Sequence, residues 1–134
     1  MAKLEMVEGI GTQYADQLRA AGVRSTKSLL EKGGTPAGRQ EIARAAGISD
    51  KLVLEWVNHV DLFRIKGVGE EYADLLEEAG VDTVVELAQR NPENLYDSIV
   101  DTNASKKLVR RPPSKKMVHD WVAIAKKLPR KVHY

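Results

Sequence analysis

No cysteine occurs among the 134 residues, which excludes disulfides, thiolate nucleophiles and most structural zinc sites and fits a reducing, cytoplasmic setting. Aromatic side chains make up only 5% of the chain, too few for the stacked platforms that grip single strands. No run approaches the roughly 18 apolar residues that a membrane span requires, and Met1 to Val7 contains no apolar stretch of signal-peptide length. The three histidines, His59, His119 and His133, show no metal-ligand spacing. Carboxylates are spread as helix-surface charge, with no pair the sequence can place in a pocket. There is no P-loop, and the Gly-x-Gly elements lack the preceding strand of a dinucleotide fingerprint. The expectation is a non-enzymatic, cytoplasmic protein with no catalytic residue, metal, cofactor, small-molecule substrate or membrane contact.

What the chain does hold is apolar residue, at 43%, enough for one compact core or for two small units. Its net charge of +2 hides a gradient. Residues 1 to 103 carry 11 Lys/Arg against 18 Asp/Glu, whereas Ala104 to Tyr134 carry 10 Lys/Arg against Asp120 alone. Such asymmetry predicts a basic C-terminal surface able to meet phosphates, an acidic partner or the protein's own acidic portion; the plain alternative is a solvated helix face.

The sequence also matches itself. Val7 to Leu30 set against Ile65 to Ala88 gives identity at 10 of 24 positions, including Gly9, Gly11, Tyr14, Ala15, Leu18 and Gly22. The likeness resumes where Ser49, Val53 and Trp56 pair with Ser114, Val118 and Trp121. The change of offset, from 58 to 65, predicts a 7-residue insertion in the second copy within Asp101 to Pro113. Each copy reads as helices: an apolar face of Tyr14, Ala15, Leu18 and Ala21 stopped by Gly22, repeated by Tyr72, Ala73, Leu76, Ala79 and Gly80. Short helices are predicted at about Thr26 to Lys32 and Thr83 to Gln89. Longer ones should start near Pro36 and Pro92, and Ser49 and Ser114 should cap the helices that bear the tryptophans. No period-2 alternation of strand length is present. The fold class expected is all-α, with a first repeat at 1–61 and a second at 62–134 that carries the basic segment, packed around one core or as joined halves.

Leu4-Glu5-Met6-Val7-Glu8-Gly9-Ile10-Gly11 and Leu62-Phe63-Arg64-Ile65-Lys66-Gly67-Val68-Gly69 share one order of residues, each followed by a small alanine, Ala15 or Ala73. In both, the glycines would permit the unusual backbone angles of a very tight turn, Ile10 or Val68 would plug the core, and the alanine would let two helices approach. This order resembles the helix-hairpin-helix superfamily, which implies two SAM-like helical units. The whole chain also resembles a bacterial family catalogued as domain of unknown function 4332. That likeness rests on Val7-Glu8-Gly9-Ile10-Gly11, Thr35-Pro36-Ala37-Gly38-Arg39, Ile65-Lys66-Gly67-Val68-Gly69-Glu70-Glu71-Tyr72 and Lys107-Leu108-Val109-Arg110-Arg111.

The superfamily resemblance implies hairpin turns at Gly9, Gly11, Gly67 and Gly69 whose backbone N–H groups hold a nucleic-acid phosphate, an arrangement that helix-terminus electrostatics supports. Glu70, Glu71 and Asp74 follow the second hairpin and would repel phosphate, while Thr12 and Gln13 follow the first. The nucleic-acid-binding candidates are therefore Gly9, Ile10, Gly11 and Thr12, together with Lys106, Lys107, Arg110, Arg111, Lys115 and Lys116, with Pro112 and Pro113 breaking the helix among them. Ser49 and the residues after it also imitate a DNA-reading helix, but Asp50, Lys51 and Glu55 are a weak set for bases or phosphate. Two functions stay open. One is a binding module contacting nucleic-acid backbone without sequence preference; the other is a protein-protein adaptor or self-associating scaffold that uses the hairpins structurally.

Overall fold

A computed structural model describes residues 3–134 as an all-helical protein, with eight α-helices and no strand among the described residues. In chain order they are α1 (Thr12–Ala20), α2 (Thr26–Gly33), α3 (Pro36–Ala46), α4 (Asp50–Leu62), α5 (Glu70–Glu78), α6 (Val84–Gln89), α7 (Pro92–Lys106) and α8 (Lys115–Ala125). A short 3-10 turn, Leu4–Met6, precedes α1. The chain divides into two compact units: residues 1–61 with Lys131–Tyr134, and Leu62–Arg130. The last four residues thus join the first unit, not the second.

Local chemistry sets most of the boundaries. Side chains of Ser25, Thr35, Ser49, Thr83, Asn91 and Ser114 accept from backbone N–H groups three residues on and so begin α2, α3, α4, α6, α7 and α8. Pro36 and Pro92 stand in the first turns of α3 and α7, as their fixed φ favours. After α1, Gly22 adopts φ +89° while Val23 N–H reaches back to the Leu18 carbonyl at 2.9 Å. Gly80 (φ +96°), with Val81 N–H on Leu76, does the same after α5.

In unit 1 the apolar faces of α1, α3 and α4 bury Leu18, Ile42, Val53 and Trp56, with Leu4, Val7 and Ile10 contributed from before α1. Each such side chain taken from water contributes about 1.5–3 kcal/mol. Polar ties fix the surroundings. Arg19 grips Glu5 through two contacts at 2.8 and 3.0 Å, Gln17 Nε2 donates to the Ala46 carbonyl at 3.0 Å, and Lys32 Nζ donates to the Gly22 carbonyl at 2.7 Å.

Unit 2 builds its core from Ile65, Val68, Leu76, Leu87, Leu95, Ile99 and Trp121, all essentially closed to solvent. The segment between α7 and α8, residues 107–114, is non-helical but held at several points. Lys107 ends α7 in the left-handed region (φ 52°), Val109 is buried, and the Asn103 amide brackets Val109 by donating to its carbonyl (3.1 Å) and accepting from its N–H (3.0 Å). At the far end, Arg64 Nη2 donates to the Pro129 carbonyl at 2.6 Å.

Candidate nucleic-acid interface

The two glycine turns are local products of one residue order. Ile10 N–H returns to the Val7 carbonyl at 3.0 Å and Val68 N–H to Ile65 at 3.0 Å, which closes each turn. Ile10 and Val68 point inward, 3% and 4% exposed. The first glycine of each pair needs its missing side chain. Gly9 has φ +92° and Gly67 φ +94°, and a Cβ on either would stand 3.3 or 3.5 Å from the indole nitrogen of Trp56 or Trp121.

The second glycine differs from the expectation of an unusual backbone angle. Gly11 (φ −85°) and Gly69 (φ −103°) lie in the extended region that any residue adopts, and a Cβ on either would meet nothing within 4 Å. These two glycines are the N-caps of α1 and α5, and neither helix start receives a side-chain hydrogen bond. Among the described residues the six remaining helices all receive one. Each glycine turn therefore offers a helix start with open N–H groups, the positive end of the helix dipole and no bulk in front of it. Both helices carry an exposed residue immediately after the glycine, Thr12 in α1 and Glu70 in α5.

Behind each turn lies an aromatic pair. Tyr14 and Trp56 stand with ring centroids 5.0 Å apart, and Tyr72 and Trp121 5.3 Å apart, both tilted. The tryptophans are each 2% exposed, and their indole nitrogens hydrogen-bond to no described residue. The two sites diverge at the tyrosine. Tyr14 is 36% exposed, whereas the Tyr72 hydroxyl donates to the Arg111 carbonyl at 2.9 Å. That bond ties the basic segment between α7 and α8 to the first turn of α5 through the Arg111 backbone.

The six basic candidates separate by their partners. Lys106 is ion-paired with Glu78, Lys115 with Glu93 at 3.2 Å, and Lys116 with Asp120 at 3.0 Å, all within unit 2. Glu93 also faces His119 Nε2 at 2.9 Å, and His119 and Lys115 together hold its carboxyl below the usual carboxylate range. The same contact raises the Lys115 ammonium above its ordinary value. Lys107, Arg110 and Arg111 are exposed and make no ion pair among the described residues. Gly67, Val68 and Gly69 and all six basic candidates thus lie in unit 2, whereas Gly9, Ile10, Gly11 and Thr12 lie in unit 1. Tyr72 and Asn103, which fix the basic segment, carry no mark in the sequence beyond the repeat of Tyr14 at position 72.

The described helices include none long and apolar enough to cross a membrane. The family described as Domain of unknown function (DUF4332) matches residues 8–128, and the chain belongs to that family. No curated protein and no solved structure matches the chain.

Proposed function

We propose that this member of the family is a binding module for the phosphate backbone of nucleic acid, indifferent to base sequence. The observation that supports the reading is the bond from Tyr72 to the Arg111 carbonyl, which joins the segment carrying Lys107, Arg110 and Arg111 to the first turn of α5, a helix whose start receives no side-chain cap. Phosphate oxygens suit both parts: backbone N–H groups at a helix start donate to them, and arginine forks grip them in pairs. Lys107, Arg110 and Arg111 supply the positive charge that Glu70 and Glu71 would otherwise deny to the turn at Gly67–Gly69. The turn at Gly9–Gly11 offers the same open donors beside a neutral Thr12, and it acts as a second, weaker contact. Nothing in this arrangement reaches for base edges, so binding is dominated by counterion release and falls steeply with salt.

The test is fluorescence anisotropy of labelled random duplex titrated with the protein at about 50 and 200 mM salt, where phosphate contacts differ sharply. The expected result is sequence-independent binding at the lower salt that weakens at the higher. Replacing Lys107, Arg110 and Arg111 together by Glu should abolish it while leaving the helical circular dichroism spectrum unchanged. Absence of binding by the native chain at low salt, or full affinity in the triple variant, overturns the assignment.

A further inference from the structure

Unit 2 shows what its tyrosine–tryptophan pair receives. Residues 107–114, Lys-Leu-Val-Arg-Arg-Pro-Pro-Ser, form no helix, and among them Val109 and Pro113 are buried. Two consecutive prolines disfavour helix and leave the carbonyl before them without a local partner, as in polyproline chain, so an outside donor must supply one. The Tyr72 hydroxyl does so, donating to the Arg111 carbonyl at 2.9 Å, and its ring packs on Trp121 with centroids 5.3 Å apart. The occupant of this pair is thus a non-helical, proline-bearing strip that carries two arginines.

Unit 1 builds the same pair and leaves it uncovered. Tyr14 and Trp56 match Tyr72 and Trp121 in the sequence, stand 5.0 Å apart, and are tilted by 57° where the other pair is tilted by 53°. Each tyrosine is the third residue of a helix that starts on a glycine. The difference lies in the next connection. Only Gly47, Ile48 and Ser49 join α3 to α4, against eight residues between α7 and α8. Gln17 Nε2 holds the Ala46 carbonyl, where that connection begins, about one helical turn beyond Tyr14. The Tyr14 hydroxyl bonds to no described residue, and its ring is 36% exposed. Carboxylates flank both tyrosines in the sequence, Glu71 and Asp74 beside Tyr72 and Glu8 and Asp16 around Tyr14, and Glu8 is exposed with no ion pair among the described residues. A basic segment therefore suits the face of unit 1 as one suits that of unit 2. The chain's own strip is already engaged by Tyr72 and Asn103, which leaves a separate protein as the source. We infer that the Tyr14 face of unit 1 docks a basic, proline-bearing segment of a partner protein, with the Tyr14 hydroxyl donating to the carbonyl of the residue before proline. This site takes protein, and it holds whether or not the glycine turns contact nucleic acid.

The probe is a synthetic peptide with blocked ends, Leu-Val-Arg-Arg-Pro-Pro-Ser, the sequence that unit 2 seats. It is titrated into the full chain labelled with nitrogen-15, at about 150 mM salt so that long-range charge attraction is screened. Saturable amide shifts are expected over residues 11–16 and at the Trp56 indole N–H, with residues 107–114 unmoved. Tyr14→Phe keeps the ring and removes only the hydroxyl, so the fold is retained and affinity should fall about threefold to tenfold, the effect of one neutral hydrogen bond. A peptide with both prolines replaced by alanine keeps its charge and should lose most of its affinity. Absence of saturable shifts overturns the inference, as do shifts confined to unit 2, which would mean displacement of the chain's own strip. Equal binding by Tyr14→Phe, or by the alanine peptide, overturns it as well.

Discussion

The Arg39 guanidinium donates to the His133 carbonyl at 2.7 Å across 94 positions of sequence. Its second acceptor, the Gly33 carbonyl, lies only six residues away, so one side chain fastens the C-terminal segment to the α2–α3 connection. Burial lowers the pKa of Arg39 from that of a free guanidinium, as expected for a cation taken from water.

Replacing Arg39 by Met keeps most of the packing and removes both donors. Hydrogen bonds to charged groups contribute about 1.5–3 kcal/mol each, and the carbonyls left behind lose their partner. Relief of the buried charge offsets part of that loss. The expected net cost is about 2 kcal/mol, read by urea denaturation. Hydrogen exchange should show the His133 amide losing protection in the variant while amides in the middle of α7 keep theirs.

The two glycines of each turn should respond differently to alanine. Gly9→Ala and Gly67→Ala place a side chain at positive φ and against an indole nitrogen, and each should lose about 1–2 kcal/mol. At Gly11 and Gly69 the N-cap preference for glycine and the lower entropy of an unfolded alanine chain act in opposite directions. Stability there should change by less than about 0.5 kcal/mol, whereas nucleic-acid affinity should fall because the new methyl group stands in the open space before the helix start.

Lys107 separates binding from folding. A lysine held at φ 52° is strained where glycine is not, so Lys107→Gly should raise the stability of the chain by up to about 1 kcal/mol. The same substitution removes one of the three unpaired cations. Greater stability together with a shallower salt dependence of duplex binding is the expected signature, and unchanged affinity would remove Lys107 from the contact.

Glu93 gives a pH dependence of known sign. His119 and Lys115 depress its carboxyl in the folded chain, so its contribution to stability is present above the unfolded carboxylate value of about 4.3 and is lost as pH falls through the depressed folded value. Thermal midpoints of the native chain and of Glu93→Gln should differ slightly near neutrality and converge on acidification. The effect is small because the groups are exposed.

The all-helical fold was legible because its instructions are local. Ser25, Thr35, Ser49, Asn91 and Ser114 cap helices with their own side chains, and Gly22 and Gly80 stop them, all within a few residues of the boundary they set. The role of the second glycine was misread, because composition alone cannot distinguish a glycine needed for its φ from one that leaves space empty. The change of offset marks residues 101–113 as the stretch where the sequence's match to itself slips, but it says nothing of how that stretch is attached. Arg111 meets Tyr72 across 39 residues, and no local pattern encodes a contact between a backbone carbonyl and a distant hydroxyl. Lys131–Tyr134 was assigned to the second half on sequence position for the same reason. Only Val132 buries a side chain there, too little for a periodic signal.

The place of Lys131–Tyr134 in unit 1 has a consequence for the order in which the protein matures on the ribosome. Unit 1 is the first to emerge, yet the strip that covers Gly34 and satisfies Arg39 is translated after the whole of unit 2. The nascent first unit therefore waits with an open seam, and with Arg39 bonded to Gly33 but lacking its second acceptor, until residues 131–134 have been translated. Because translation proceeds at about 5–20 residues per second, that interval lasts several seconds, and a ribosome that stalls before Lys131 leaves unit 1 without the strip that covers Gly34.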